Sequence, residues 1–126
     1  MKIQESAENY LETILVLSQR NGSVRSVEIA AALDFSKASV SVAMKQLREN
    51  GYVEVDAGGY ITLTSPGMEI AQRIYERHQV LTNCLVALGV SEEVAAEDAC
   101  RVEHFLSAES FDKIRAHYEE KIKKEE

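Results

Sequence analysis

The sequence predicts a mainly α-helical protein, a winged helix-turn-helix followed by a helical dimerisation domain. Three observations carry that expectation. Apolar residues recur at helical spacing through three segments of residues 6–50. The period then drops from 3.6 to 2 over two short runs rich in β-branched and aromatic residues, joined by a Gly-Gly turn. Past the only proline, Pro66, helical spacing returns and holds towards the C-terminus.

The first helix is expected from about Ser6 to Arg20, with Ser6 as cap, Leu11, Ile14 and Leu15 on its inner face and Asn21-Gly22 as its end. Ser26 caps a short second helix to Leu33, whose inner face is Ile29, Ala30 and Leu33. Asp34-Phe35 form a tight turn. Ser36 caps a third helix to Asn50, with Val40, Ala43, Met44 and Leu47 inward and Gly51 as the stop. Tyr52–Val55 and Tyr60–Leu63 read as strands of a hairpin through Asp56-Ala57-Gly58-Gly59. Thr64-Ser65-Pro66-Gly67 opens a long helix to about Leu88, closed by Gly89. Its stripe is Ile70, Ile74, His78, Leu81, Leu85 and Leu88. Ser91 caps a fifth helix to about Phe105, and Ser107 a last one ending in the polar run KIKKEE. On the fifth helix Val94, Asp98, Val102 and Phe105 form a stripe that is expected to be buried. The implied division is 1–64 and 65–126. The second part carries more apolar surface than one copy covers, which points to a symmetric dimer.

With 126 residues, 45% of them hydrophobic and 28% charged, the chain has an ordinary globular composition. No run approaches the roughly 18 apolar residues of a membrane span. The N-terminus has no apolar signal region, which points to the cytoplasm. Cys84 and Cys100 are too few for a disulfide framework. Cys84 reads as a core thiol, and His117 as a surface residue.

The third helix, following a short turn and preceding a hairpin, has the context of a helix that enters a DNA major groove. Opposite its apolar stripe it presents Ala38, Ser39, Val42, Lys45 and Gln46. Small N-terminal residues allow close approach, Ser39 can bond base or phosphate, and Ala38 and Val42 can meet thymine methyl groups. Arg25, Ser36 and Lys37, with the helix N-terminus, suit phosphates. An ordinary solvated face would have a similar composition, and the surrounding elements favour the DNA reading. Charge opposes it: the net charge is -7, and residues 1–64 hold six cations against eight carboxylates. Bound divalent cations would offset part of that deficit.

Cys100-Arg101-Val102-Glu103-His104 places a thiolate, a carboxylate and an imidazole at i, i+3 and i+4, on one helix face. All three are ligands for divalent metals. The plainer alternative is a buried cysteine beside an ordinary Glu–His pair. His78 on an apolar stripe is, taken alone, most simply a core histidine. Asn9 and Glu12, taken singly, are solvated residues of the first helix.

Three segments in order, AENYLETI, ERHQ and DACRVEH, make the chain resemble the diphtheria-toxin-repressor family of metal-dependent regulators, both its iron-dependent repressors and its manganese transport regulators. The resemblance runs over nearly the whole chain. It implies a winged-helix head and a helical dimerisation domain, in a short form without the SH3-like domain that some members add. Cys100, Glu103 and His104 match primary ligands of the iron type; the manganese type has Glu at the position of Cys100. His78 matches the histidine of the long helix, and Glu12 a carboxylate that ligates in the manganese type. Asn9 stands where Met or Asp is usual, and its amide oxygen can ligate. Thr82 and Ala96 stand where the iron type has second-site ligands.

The resemblance implies a homodimeric, metal-dependent transcriptional repressor of metal-homeostasis genes that binds a palindromic DNA operator. Metal held between the first and fifth helices would set the spacing of the two recognition helices. Fe(II) is the expected metal because of the thiolate, with Mn(II) second and other divalent transition metals binding in vitro. An alternative is a winged-helix regulator that senses a small ligand or an oxidant through Cys100. A small metalloenzyme is the third possibility, disfavoured because the sequence offers no nucleophile–base pair or phosphate-binding glycine loop. The expectation is therefore no enzymatic activity, no small organic substrate and no membrane partner.

Overall fold

A computed structural model describes residues 5–123. The expected cation Lys2 and the end of the C-terminal charge run lie outside the described residues. The element order is α1 (Glu5–Asn21), α2 (Ser26–Leu33), α3 (Lys37–Glu49), β1 (Val53–Val55), β2 (Ile61–Leu63), α4 (Ser65–Ala87), α5 (Glu92–Val102) and α6 (Ala108–His117), then a π-helical turn over Tyr118–Ile122. Two compact units divide the chain, Met1–Arg73 and Ile74–Glu126, so α4 belongs to both.

In the first unit, α1 to α3 enclose Leu11, Ile14, Ile29, Val40 and Leu47, all at most 2% exposed. The hairpin pairs Val53 with Leu63 and Val55 with Ile61, antiparallel, so that Val53 and Ile61 point into this core. Asp56 shapes the turn, its Oδ1 accepting from the backbone N–H of Gly58 at 2.9 Å and of Tyr60 at 3.0 Å. Gly59 takes φ +82°, a conformation glycine adopts without strain.

Thr64 joins the hairpin to α4. Its hydroxyl donates to the Gly51 carbonyl at 2.6 Å and accepts from the Gly67 N–H at 3.3 Å. Gly67 is where a side chain has no room, because a Cβ there would stand 2.0 Å from the Tyr52 carbonyl oxygen.

In the second unit, Val80, Phe111 and Tyr118 form a core cluster, with Cys84, Leu106 and Ile114 packed against it. Cys84 is thus at the margin of the core rather than fully inside it. Burial raises its thiol pKa.

The serine caps at Ser36, Ser91 and Ser107 form as expected, each accepting from the backbone N–H three residues on. Three expectations are corrected. Arg25, not Ser26, is the N-cap of α2, because Glu28 reaches back to accept from the Arg25 N–H at 3.2 Å. Helix α5 stops at Val102 rather than Phe105; the Phe105 N–H bonds the Val102 carbonyl in a tighter turn. The buried face of α5 is Ala95 and Ala99, both 0% exposed, whereas Val94, Val102 and Phe105 are exposed. Alanines permit close helix packing, and the larger side chains stay outside.

Candidate metal centre and nucleic-acid interface

The second unit holds a buried carboxylate. Glu103 caps the C-terminal end of α5 and is 0% exposed. An isolated carboxylate in that position is costly and must be compensated. His78 of α4 supplies part of this, with Nδ1 2.9 Å from Glu103 Oε2. Nε2 of His104 lies 3.4 Å from the other oxygen, Oε1, too long for a good hydrogen bond. Oε1 is buried with no hydrogen-bond partner among the described residues. A buried carboxylate with one imidazole beside each oxygen, and with Oε1 lacking a hydrogen bond among the described residues, suits a divalent cation. The donor set is nitrogen and oxygen, acceptable to Mn(II), Fe(II), Co(II) and Zn(II).

Of the other expected ligands, Cys100 lies one turn before Glu103, in the last turn of α5, and is exposed. The structure therefore brings His78, Glu103 and His104 together and leaves Cys100 nearer solvent. In the first unit Glu12 is a buried carboxylate of α1, 8% exposed. Asn9, one turn earlier, is half-buried, and its backbone carbonyl accepts from the Thr13 hydroxyl at 2.8 Å. Glu8 beside them pairs with Arg73 at 3.1 Å.

On the first unit, Ser36, Lys37, Ala38, Ser39, Val42, Lys45 and Gln46 are all exposed, as is Arg25. Val42 is 58% exposed, which makes it an apolar side chain with no core role. Ser36 carries the start of α3: its hydroxyl accepts from the Ser39 N–H at 3.1 Å and meets the Ser39 hydroxyl at 2.9 Å. At the wing, Arg25 bridges to Tyr60 through the backbone, and its guanidinium lies 5.3 Å from the Tyr60 ring centroid. That stacking steadies a cation at the wing. Tyr60 is a residue that sequence reasoning did not select; its strand position hid its pairing with an arginine 35 residues earlier.

Arg77 also escaped the sequence reading. It is 9% exposed, and it donates to the carbonyls of Glu103 at 3.1 Å and Leu106 at 2.7 Å. An arginine beside the histidine in ERHQ was the available signal, and its partners lie too far along the chain to be read from spacing.

A winged helix-turn-helix with an exposed polar recognition face, and a helical unit with a buried carboxylate–imidazole cluster, define the class as a DNA-binding protein equipped to hold a divalent metal. Residues 2–59 match the iron dependent repressor N-terminal DNA binding domain, and residues 64–121 the iron dependent repressor metal binding and dimerisation domain. The chain belongs to the iron-dependent repressor family, and is a metal-dependent DNA-binding transcription regulator.

Among its relatives, the transcriptional regulator MntR of Escherichia coli O6:H1 is 38% identical over 112 residues, covering 89% of this chain and 72% of that protein. An uncharacterized HTH-type transcriptional regulator of Methanocaldococcus jannaschii is 35% identical over 115 residues, 90% of this chain and 92% of the relative. A solved manganese-dependent transcriptional repressor in complex with manganese superposes with a TM-score of 0.80 at 28% identity. That match covers 87% of this chain and 51% of the solved one, so the chain spans about half of that protein's length. The resemblance drawn from AENYLETI, ERHQ and DACRVEH is thereby borne out, and so is the fold.

Proposed function

We propose that the chain is a cytoplasmic, homodimeric repressor of metal-homeostasis genes, which binds a palindromic operator only when a divalent metal occupies a site built on Glu103, His104 and His78. The buried, unbonded Oε1 of Glu103 beside His104 is the observation that carries this reading. Glu12, His78 and Glu103 each offer one donor atom. We assign Glu12 to the same site, with Asn9 and Cys100 as further ligands. The N-terminal unit is the proposed reading head. Arg25, Ser36 and Lys37 would contact phosphates, and Ala38, Ser39, Val42, Lys45 and Gln46 the major groove.

A divalent metal held by these residues would supply positive charge. The chain's residues do the rest. Glu103 and the imidazoles orient the end of α5, and compensation of the carboxylates reduces repulsion from phosphates. Linkage makes the coupling mutual, so operator DNA should tighten metal binding.

Fe(II) and Mn(II) are the two candidate metals. Cys100 as a ligand favours Fe(II), whereas the carboxylate–imidazole core suits Mn(II) equally well, in keeping with relatives named MntR. The test is selection of duplexes from a random pool, then titration with Mn(II), with anaerobic Fe(II), or with chelator. Metal-dependent binding is expected. Equal affinity in chelator would sink the switch and favour the oxidant-sensing alternative, in which alkylation of Cys100 alone changes DNA affinity.

A further inference from the structure

Two consecutive residues of α4 hold the same distant residue by different groups. His78 meets the Glu103 side chain, with Nδ1 2.9 Å from Oε2. Arg77 holds the Glu103 main chain, Nη1 donating to its carbonyl at 3.1 Å and to the Leu106 carbonyl at 2.7 Å. The guanidinium lies 5.1 Å from the centroid of the Phe111 ring, which Arg115 also approaches at 5.6 Å. Arg115 in turn pairs with Glu76, the neighbour of Arg77, at 2.7 Å.

A guanidinium buried to 9% exposure is costly to keep. Its Nε is buried with no hydrogen-bond partner among the described residues, which adds to that cost. Its described partners are two carbonyls and a ring rather than a carboxylate, so ion pairing does not explain it. The location does. Helix α5 ends at Val102 with Glu103 as its C-cap, where the last carbonyls lack intrahelical partners and the helix dipole favours a cation. The two carbonyls bracket residues 103–106, the stretch that contains both Glu103 and His104.

We propose that Arg77 is a positioning residue of the metal centre. By clamping the Glu103 and Leu106 carbonyls it fixes how the Glu103 carboxylate and the His104 imidazole face His78, and it sets the ligand geometry without touching the metal. This inference rests on the metal-site reading above.

The test is Co(II) titration of the full chain, with the visible ligand-field spectrum as the readout and circular dichroism as the check on folding. Wild type, Arg77→Met and Arg77→Lys are compared. The methionine variant keeps the bulk and removes the donors. It should bind Co(II) about 10- to 100-fold more weakly, as loss of an outer partner does, with altered ligand-field bands. The lysine variant, with one cationic head for two carbonyls, should fall between. A folded methionine variant with wild-type affinity and spectrum overturns the proposal. Should that variant not fold, a folded lysine variant with both properties unchanged overturns it instead. A variant that only melts earlier, with the same spectrum, assigns Arg77 to stability and also overturns it. Failure of the wild type to bind Co(II) would instead overturn the metal-site reading.

Discussion

Nδ1 of His78 and Oε2 of Glu103 lie 2.9 Å apart although 25 positions separate the two residues. A neutral imidazole that donates through Nδ1 presents its other nitrogen as an acceptor, and the carboxylate it holds is kept from swinging away. The pair therefore has the hydrogen-bonded histidine–carboxylate arrangement that orients ligands in metal proteins.

Replacing Glu103 with glutamine tests the cluster with little change in volume. Glu103→Gln should leave helix content and dimerisation intact and weaken Mn(II) or Fe(II) binding at least about 10-fold. His104→Ala should do the same. Calorimetric titration with each metal checks both, and a variant that still binds metal normally would place the site elsewhere.

The proposed DNA face should separate into two kinds of contact. Lys45→Ala should weaken binding to all duplexes alike and lower the slope of log affinity against log salt by about one. Gln46→Ala should instead change preference at one base pair of each half-site, by roughly 1–3 kcal/mol. Anisotropy titrations at several salt concentrations, on matched and singly altered duplexes, distinguish them. An identical profile for both variants would remove Gln46 from base reading.

Gly67 gives a stability prediction independent of function. A Cβ at 2.0 Å from the Tyr52 carbonyl oxygen forces the backbone apart. Gly67→Ala should destabilise the protein by about 2–3 kcal/mol, the upper range for overpacking. A thermal melt of the metal-free variant measures it, and an unchanged midpoint would show that the junction yields freely.

The two thiols should differ in reactivity. Cys100 is exposed, whereas burial raises the pKa of Cys84, leaving less thiolate at neutral pH. Iodoacetamide should label Cys100 first, and the Cys84 rate should keep rising with pH past the point where an ordinary thiol levels off. Mass spectrometry of a pH series decides it. Cys100→Ser should shift preference from Fe(II) towards Mn(II), and an unchanged preference would remove the thiolate from the coordination set.

Much of this protein was legible because its local signals are strong. Ser36, Ser91 and Ser107 mark helix starts by the side-chain bond they make, and the change of period after Gly51 marks the wing. The exposed face of α3 followed from periodicity alone. The i, i+3, i+4 spacing selected Glu103 and His104 but placed Cys100 on equal terms with them, since a helical projection does not say that α5 ends at Val102 or how deep each side chain sits. Arg77 and Tyr60 were hidden for a different reason. Each acts through a partner 25 to 35 residues away, and only the folded chain brings those groups together. Periodicity alone marks Val94, Val102 and Phe105 as interior, because it identifies an apolar face without saying what covers it.

The unbonded oxygen of Glu103 also bears on how long the protein survives in a cell. A cation that binds this carboxylate in the native state, and not in the unfolded chain, adds about 2.7 kcal/mol of stability at one hundred times its dissociation constant. Proteases that capture transiently opened chains would then clear the metal-free protein faster than the loaded one. Cellular abundance would rise with metal supply through turnover alone, so the amount of regulator would report metal status alongside its affinity for DNA.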